Sequence, residues 1–250
     1  MAIQLDFIPS LTTWCWRFCI ASDMVHGIEF ELYSADANFK VSKGWRDFFL
    51  PFCHETRNPI HHFINHRFEA PKGGKRKVLY ELYKRFCPNR YLTSELWDEF
   101  RHIDQTELAT LKTRDLSLEI IEKTYRFNIE TQQHVNDLVS SLELPRDYVG
   151  FHIRGGDKMS EHKLLTVDAY IEKAKRLTDL RTAFISSDDY GLIEEIRKRF
   201  PSWRFLTLTP KENRGFFYNE YNQLDKQAKK NNTINLFASI ELLSRAQFTF

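Results

Sequence analysis

The stretch DYVGFHIRGGDKMSEHK, residues 147–163, passes from an apolar run directly into Arg, two Gly, Asp, Lys and Glu. A short apolar run that breaks off at glycines and charge reads as a buried strand ending in a polar loop. Two further segments of this kind follow, TAFISS (182–187) and RFLTLT (204–209), with helical patterns over 167–177 and 190–200 between them. Strand, helix, strand, helix, strand at this spacing predicts parallel βαβ units with helices on both faces of the sheet. Ligands of such sheets bind beyond the carboxyl ends of the strands. The quoted stretch lies at one of these ends and SSDD (186–189) at another, so two polar loops are expected to converge on one crevice.

The rhythm differs before Pro145. A short strand (3–7) precedes LTTWCWRFCIASDMVHG (11–27), which carries apolar residues at helical spacing and stops at Gly27. IEFELY (28–33) alternates as a strand does, WRDFFLPF (45–52) reads as an aromatic helical turn, and 54–77 reads as a connection. From Val78 to Leu142 nearly everything reads as helix, including IETQQHVNDLVSSL (129–142). A chain of 250 residues accommodates two domains, expected as 1–145, helix-rich, and 146–250, built on the parallel sheet.

Composition excludes several function classes. With 36 basic against 34 acidic side chains, no charge-driven partner is implied, and the short clusters KGGKRK (72–77) and KQAKK (226–230) read as solvated loops rather than a nucleic-acid footprint. Cys15, Cys19, Cys53 and Cys87 do not form a disulfide framework, so a reducing, cytoplasmic setting is expected. No C-x2-C knuckle is present, and His61, His62 and His66 lack a carboxylate at ligand spacing, so no metal site is assigned. No window reaches the ~18 apolar residues of a membrane span, and no secretory leader pattern opens the sequence.

Gly155 and Gly156 let the backbone turn sharply and approach a ligand closely. Arg154 directly before them presents a planar fork that matches two phosphate oxygens. The combination points to a diphosphate, although neither the G-x-x-x-x-G-K-[ST] spacing nor G-x-G-x-x-G is present. The alternative is a tight turn in which Asp157 caps the next helix and Arg154 serves as an ion-pair partner.

VGFHIRGGDKMSEHKLLTVDAYIEKA, then AFISSDDYGLIEEIRKRFPSWRF, then ASIELLSRAQF, resembles the core α1,6-fucosyltransferases and the related bacterial nodulation fucosyltransferases. Their hallmark is an H-x-R-x-x-D-K-x-x-x-E run followed by a strand ending in Asp-Asp. The resemblance spans about residues 146–250; over 1–145 it is limited to the helix after the first strand and WRDFFLP. It implies a GT-B-like α/β fold, two Rossmann-like domains facing across a cleft, the first on the acceptor side and the second holding a nucleotide sugar. It also implies an inverting glycosyltransferase that needs neither metal nor cofactor and moves a sugar, GDP-fucose being the favoured donor, to a glycan or glycoprotein. Carried over by position, Arg154 binds the donor β-phosphate, with Gly155 and Gly156 beside it, and His152 lies near the base. Asp157 and Lys158 order the site, Glu161 matches the general base, and Asp188 and Asp189 match the acidic pair beside the nucleotide sugar.

The sequence departs from the family at three places. Gly155 stands where the core-fucosylating enzymes carry a second Arg. Ser239 aligns with the base-reading carboxylate, with only Glu241 close by. The family's Ser-bearing loop follows the position of Phe250, which leaves open a compact or a shortened protein. Lack of the coiled-coil and SH3-like regions of the animal enzymes points to a microbial or viral origin. Two other functions fit the same residues: a UDP-sugar-dependent transferase such as a xylosyltransferase, and a non-catalytic nucleotide- or glycan-binding protein.

Overall fold

The structure is a computed structural model and describes residues 2–6, 29–33, 41–52, 54–55, 74–86, 90–91, 122, 124–155 and 166–250. The chain divides into two compact units, Met1–Asn128 and Ile129–Phe250.

The first unit contains β1 (Ala2–Asp6), β2 (Glu29–Tyr33), a 3-10 turn (Gly44–Asp47), β3 (His54–Glu55), α1 (Gly74–Phe86) and β4 (Arg90–Tyr91). Its strands form a parallel sheet in the order β3-β2-β1-β4, with Ala2 opposite Glu29 and Asp6 opposite Tyr33. The two longer strands fall within one residue of the sequence expectation. The shorter two lie where a connection and a helix were expected, because two residues carry no period that can be read. Gly74–Lys77, expected as a solvated loop, instead opens α1.

WRDFFLP folds around one indole. Trp45 is fully buried, its ring stacks on Phe49, and its indole N–H donates to the Leu50 carbonyl at 3.0 Å. Phe49 also stacks on Phe127 across an antiparallel bridge, with Leu50 N–H donating to the Arg126 carbonyl at 2.7 Å. Aromatic area and paired backbone thus hold two distant segments together.

The second unit contains α2 (Ile129–Ser141), β5 (Val149–Ile153), α3 (Val167–Leu177), β6 (Thr182–Ser187), α4 (Tyr190–Arg199), β7 (Arg204–Leu206), α5 (Tyr218–Gln223), α6 (Lys226–Arg245) and β8 (Phe248–Thr249). All four strands are parallel in the order β7-β6-β5-β8, the same order, relative to its own strands, as in the first unit. KQAKK, also expected as a loop, forms the first turn of α6. The three expected strands and both intervening helices are present, and β8 adds a fourth strand of only two residues.

Strand alternation divides the core between two faces. Val149, Phe151, Ile153, Ala183 and Ile185 pack with Ile171, Ala174, Ile193 and Ile196 of α3 and α4. Phe184 joins Tyr148 and Leu242 on the other side, where α2 runs along α6 and Lys230 pairs with Glu130. Gly150 permits this second layer: a Cβ there would meet Leu243, Ala246 and Thr249 at 3.0–3.1 Å. Helices on both faces bury most of the central strands, all but His152 of β5 and the two end residues of β6, which is why they read as near-continuous apolar runs.

Candidate functional site at the carboxyl ends of β5 and β6

In the second unit the chain steps outward from β5 to β6 to β7 and then returns to place β8 on the other side of β5. The reversal is a topological switch point, where open parallel sheets bind ligands. His152, in the last turn of β5's pleat, is exposed, and its N–H donates to the Phe250 carbonyl at 2.9 Å. Arg154 follows directly on the strand and is exposed beyond it.

Gly155 is buried, and its N–H donates to Oδ1 of Asp188 at 2.5 Å. The other oxygen of Asp188 accepts from the Phe216 N–H at 3.3 Å, and the Asp188 carbonyl accepts from the Gly215 N–H at 2.9 Å. One residue therefore gathers the end of β5, the end of β6 and the loop after β7. A Cβ on Gly155 would stand 3.0 Å from the Asp189 Cβ and 3.4 Å from Asp188 Oδ1. The glycine found where the resembling family has Arg thus suits the close packing of the two strand ends, where a side chain would require its neighbours to shift by a few tenths of an ångström.

Asp189 is committed elsewhere. Its side chain caps α4 by accepting from the Gly191 N–H at 2.8 Å, and its own N–H donates to Ser187 Oγ at 3.1 Å. A cap of this type contributes about 1 kcal/mol. Both carboxylates of the acidic pair are consequently engaged by backbone N–H groups.

The loop beyond β7 carries residues that the sequence reading did not single out. Thr207 Oγ1 donates to the Ile185 carbonyl at 2.7 Å and Thr209 Oγ1 donates to the Ser187 carbonyl at 2.8 Å. Hydroxyls thus continue the pairing of β6 after the backbone ladder with β7 has stopped at Leu206. The signal was the alternation of Thr207 and Thr209, two positions apart on one face. Phe216 and Phe217, whose rings are partly exposed, follow Gly215 at the same edge.

The remaining expected positions separate. Ser239 is buried in α6. Glu241 pairs with Arg245 one turn later and adjoins Leu242, whose carbonyl accepts the Tyr148 hydroxyl at 2.6 Å. Tyr148 precedes β5, so Glu241 lies toward the amino end of the strand, away from Arg154. An open cleft bounded by Val139, Tyr148, Leu242 and Arg245 occupies that same amino end. Gly156, Asp157, Lys158 and Glu161 lie outside the described residues, as do the four cysteines and His61, His62 and His66. Among the described residues no three His, Cys, Asp or Glu side chains gather as metal ligands. In the sequence itself two residues, Met159 and Ser160, separate Lys158 from Glu161, one fewer than in the family hallmark.

No protein-family model matches this sequence, and no curated protein matches it. Solved structures share its fold. The fucosyltransferase NodZ from Bradyrhizobium matches with a TM-score of 0.60 and 14% identity over 99% of this chain and 87% of that one. A NodZ α-1,6-fucosyltransferase crystal soaked with GDP-fucose gives 0.60 and 13%, over 99% of this chain and 86% of that one. One co-crystallised with GDP gives 0.57 and 13% over the same shares, 99% and 86%. The shared fold extends through both units, including the first, where the sequence resemblance was confined to two short segments.

Proposed function

We propose that this chain is an inverting, metal-independent glycosyltransferase that moves a sugar from a nucleotide-sugar donor, GDP-fucose being favoured, to a hydroxyl of a glycan or glycoprotein. The observation that carries the reading is the placement of His152 and Arg154 at the switch point of a parallel sheet whose fold is that of fucosyltransferases soaked with GDP-fucose or co-crystallised with GDP. In this reading the first unit serves the acceptor and the second holds the donor, with α2 (Ile129–Ser141) on the donor side rather than in the 1–145 domain expected from the sequence.

The chemistry follows from the residues. Glu161 takes the proton of the acceptor hydroxyl as its oxygen attacks C1 of the sugar from the face opposite the diphosphate. The bond from C1 to the β-phosphate oxygen breaks and its electron pair leaves with the nucleoside diphosphate. Arg154 receives that charge as a bidentate cation, aided by Lys158, so that no divalent ion or other cofactor is required. Asp157, with Lys158, orders the site.

A thermal-shift panel of GDP, UDP, GDP-fucose and UDP-xylose, with and without EDTA, tests the reading. A nucleotide at 100 times its dissociation constant should add about 2.7 kcal/mol. GDP stabilisation that survives EDTA is the expected result. Preference for UDP would reassign the donor, a choice that Ser239, offering no carboxylate to a guanine edge, makes worth measuring. No response to any nucleotide would overturn the function. Transfer is tested separately with Glu161→Gln, which should keep nucleotide affinity and lower acceptor transfer about 100-fold or more. Unchanged transfer would remove Glu161 from the mechanism and return the search for the base to Asp157 or the first unit.

A further inference from the structure

α1 leaves an apolar stripe in solvent. Val78, Leu82 and Phe86 recur every four residues and are 59%, 46% and 75% exposed, with Leu79 beside them at 39%. Residues four apart on a helix share one face, so these side chains form a continuous stripe. Exposed Lys75 precedes Val78 and Leu79 by three and four positions, and exposed Arg85 follows Leu82 by three. Cations therefore border the stripe at both ends. The thirteen residues of the helix hold five basic residues, Lys75, Arg76, Lys77, Lys84 and Arg85, against the single acid Glu81. That excess of four is twice the net charge of +2 carried by the entire chain.

The charge decides between occupants. A second copy of this helix would set five cations against five, and an apolar protein groove would have to desolvate Lys and Arg along its rim. A surface of anionic lipid headgroups accepts both features: the stripe enters the acyl boundary while long basic side chains reach back to phosphate. At about 1.5 Å per residue a helix of this length falls well short of the ~30 Å hydrocarbon core. It fits a helix lying in the interface, and no helix among the described residues is long and apolar enough to cross a membrane. We infer that α1 is a peripheral docking element through which this protein associates with anionic membrane surfaces.

Co-sedimentation with vesicles of phosphatidylcholine alone, or of phosphatidylcholine with phosphatidylglycerol, tests this. The intact protein should pellet with the anionic vesicles, and raising the salt concentration should release it. Leu82→Glu combined with Phe86→Glu should lower partitioning at least about tenfold, through loss of buried apolar area. Lys75→Glu combined with Lys77→Glu, which spares the stripe, should also lower it at least about tenfold. Far-UV circular dichroism and the melting temperature show whether each variant is folded. Equal pelleting with neutral vesicles, or unchanged partitioning of both folded variants, overturns the inference. So does a dimer that Leu82→Glu/Phe86→Glu converts to monomer, which would assign the stripe to a second copy. These readouts use no nucleotide or acceptor, so they are independent of the proposed transferase activity.

Discussion

Asp188 Oδ1 accepts the Gly155 amide at 2.5 Å while Oδ2 accepts the Phe216 amide, so a single carboxylate joins segments 33 and 28 residues away from it. This makes Asp188 a positioning residue for the backbone next to Arg154. Asp188→Asn turns one acceptor into an N–H2 donor facing an amide, and loss of about 1–3 kcal/mol of stability is expected. Urea denaturation measures it, alongside nucleotide affinity on the same preparation. Reduced affinity with unchanged stability would instead indicate that Asp188 touches the donor directly.

Gly155→Ala should be destabilising even though alanine is the smallest change available. The added methyl would press on the Asp189 Cβ at 3.0 Å, an atom fixed by the cap of α4, so the strain cannot be relieved by a side-chain rotation. A loss of about 1–3 kcal/mol is expected from overpacking of this kind. Gly155→Arg, which restores the residue of the resembling family, should be worse. A stable, fully active Gly155→Arg protein would show that the ends of β5 and β6 separate easily and that the Asp188 contact holds nothing.

Arg154→Lys should harm transfer nearly as much as Arg154→Ala, by about 2–4 kcal/mol in transition-state stabilisation. A single ammonium on a flexible stem cannot reproduce a planar fork spanning two phosphate oxygens. The melting temperature of each variant, measured on the same preparation, separates a loss of fold from a loss of phosphate binding. The kcat/KM ratio for GDP-fucose, with calorimetric binding of GDP, separates the outcomes: a fully active Lys variant removes Arg154 from the phosphate.

The second unit was legible because its central strands obey simple rules. Val149–Ile153 and Thr182–Ser187 are covered on both faces and therefore stand out as apolar runs, and each stops where charge begins. Those stops also placed Arg154, Asp188 and Asp189 at one sheet edge. What Asp188 does there was not legible, since its partners are amides far along the chain and amides carry no side-chain signature. Nor was β8, whose two residues are a strand only because β5 lies beside them. In the first unit β3 and β4 went unread for the same reason. The exposed stripe of α1 was hidden inside a general helical reading that gave no account of which face met solvent.

Asp47 yields a prediction about acid. Burial alone would raise its pKa, but its carboxylate accepts from the N–H groups of Val41, Ser42, Lys43 and Gly44 at 2.8–3.0 Å and from the Ser42 hydroxyl at 2.9 Å, and together these hold it below its ordinary value. A carboxyl with a lowered folded-state pKa contributes stability that is present above its unfolded pKa of about 3.9 and lost as pH falls through the folded value. The contribution is therefore complete at neutral pH and disappears only below about pH 4. Asp47→Asn keeps the shape, removes the charge and turns an N–H2 toward donors, so the variant should be less stable than the parent at pH 7. The gap should narrow as the parent is acidified through the folded pKa, because protonated Asp47 also presents a hydrogen where an acceptor is needed. Urea midpoints for both proteins across a pH series measure the difference free of the other carboxylates, which titrate alike in the two. A gap that stays constant through the acid range would show that the ring of amides does not depend on the charge of Asp47.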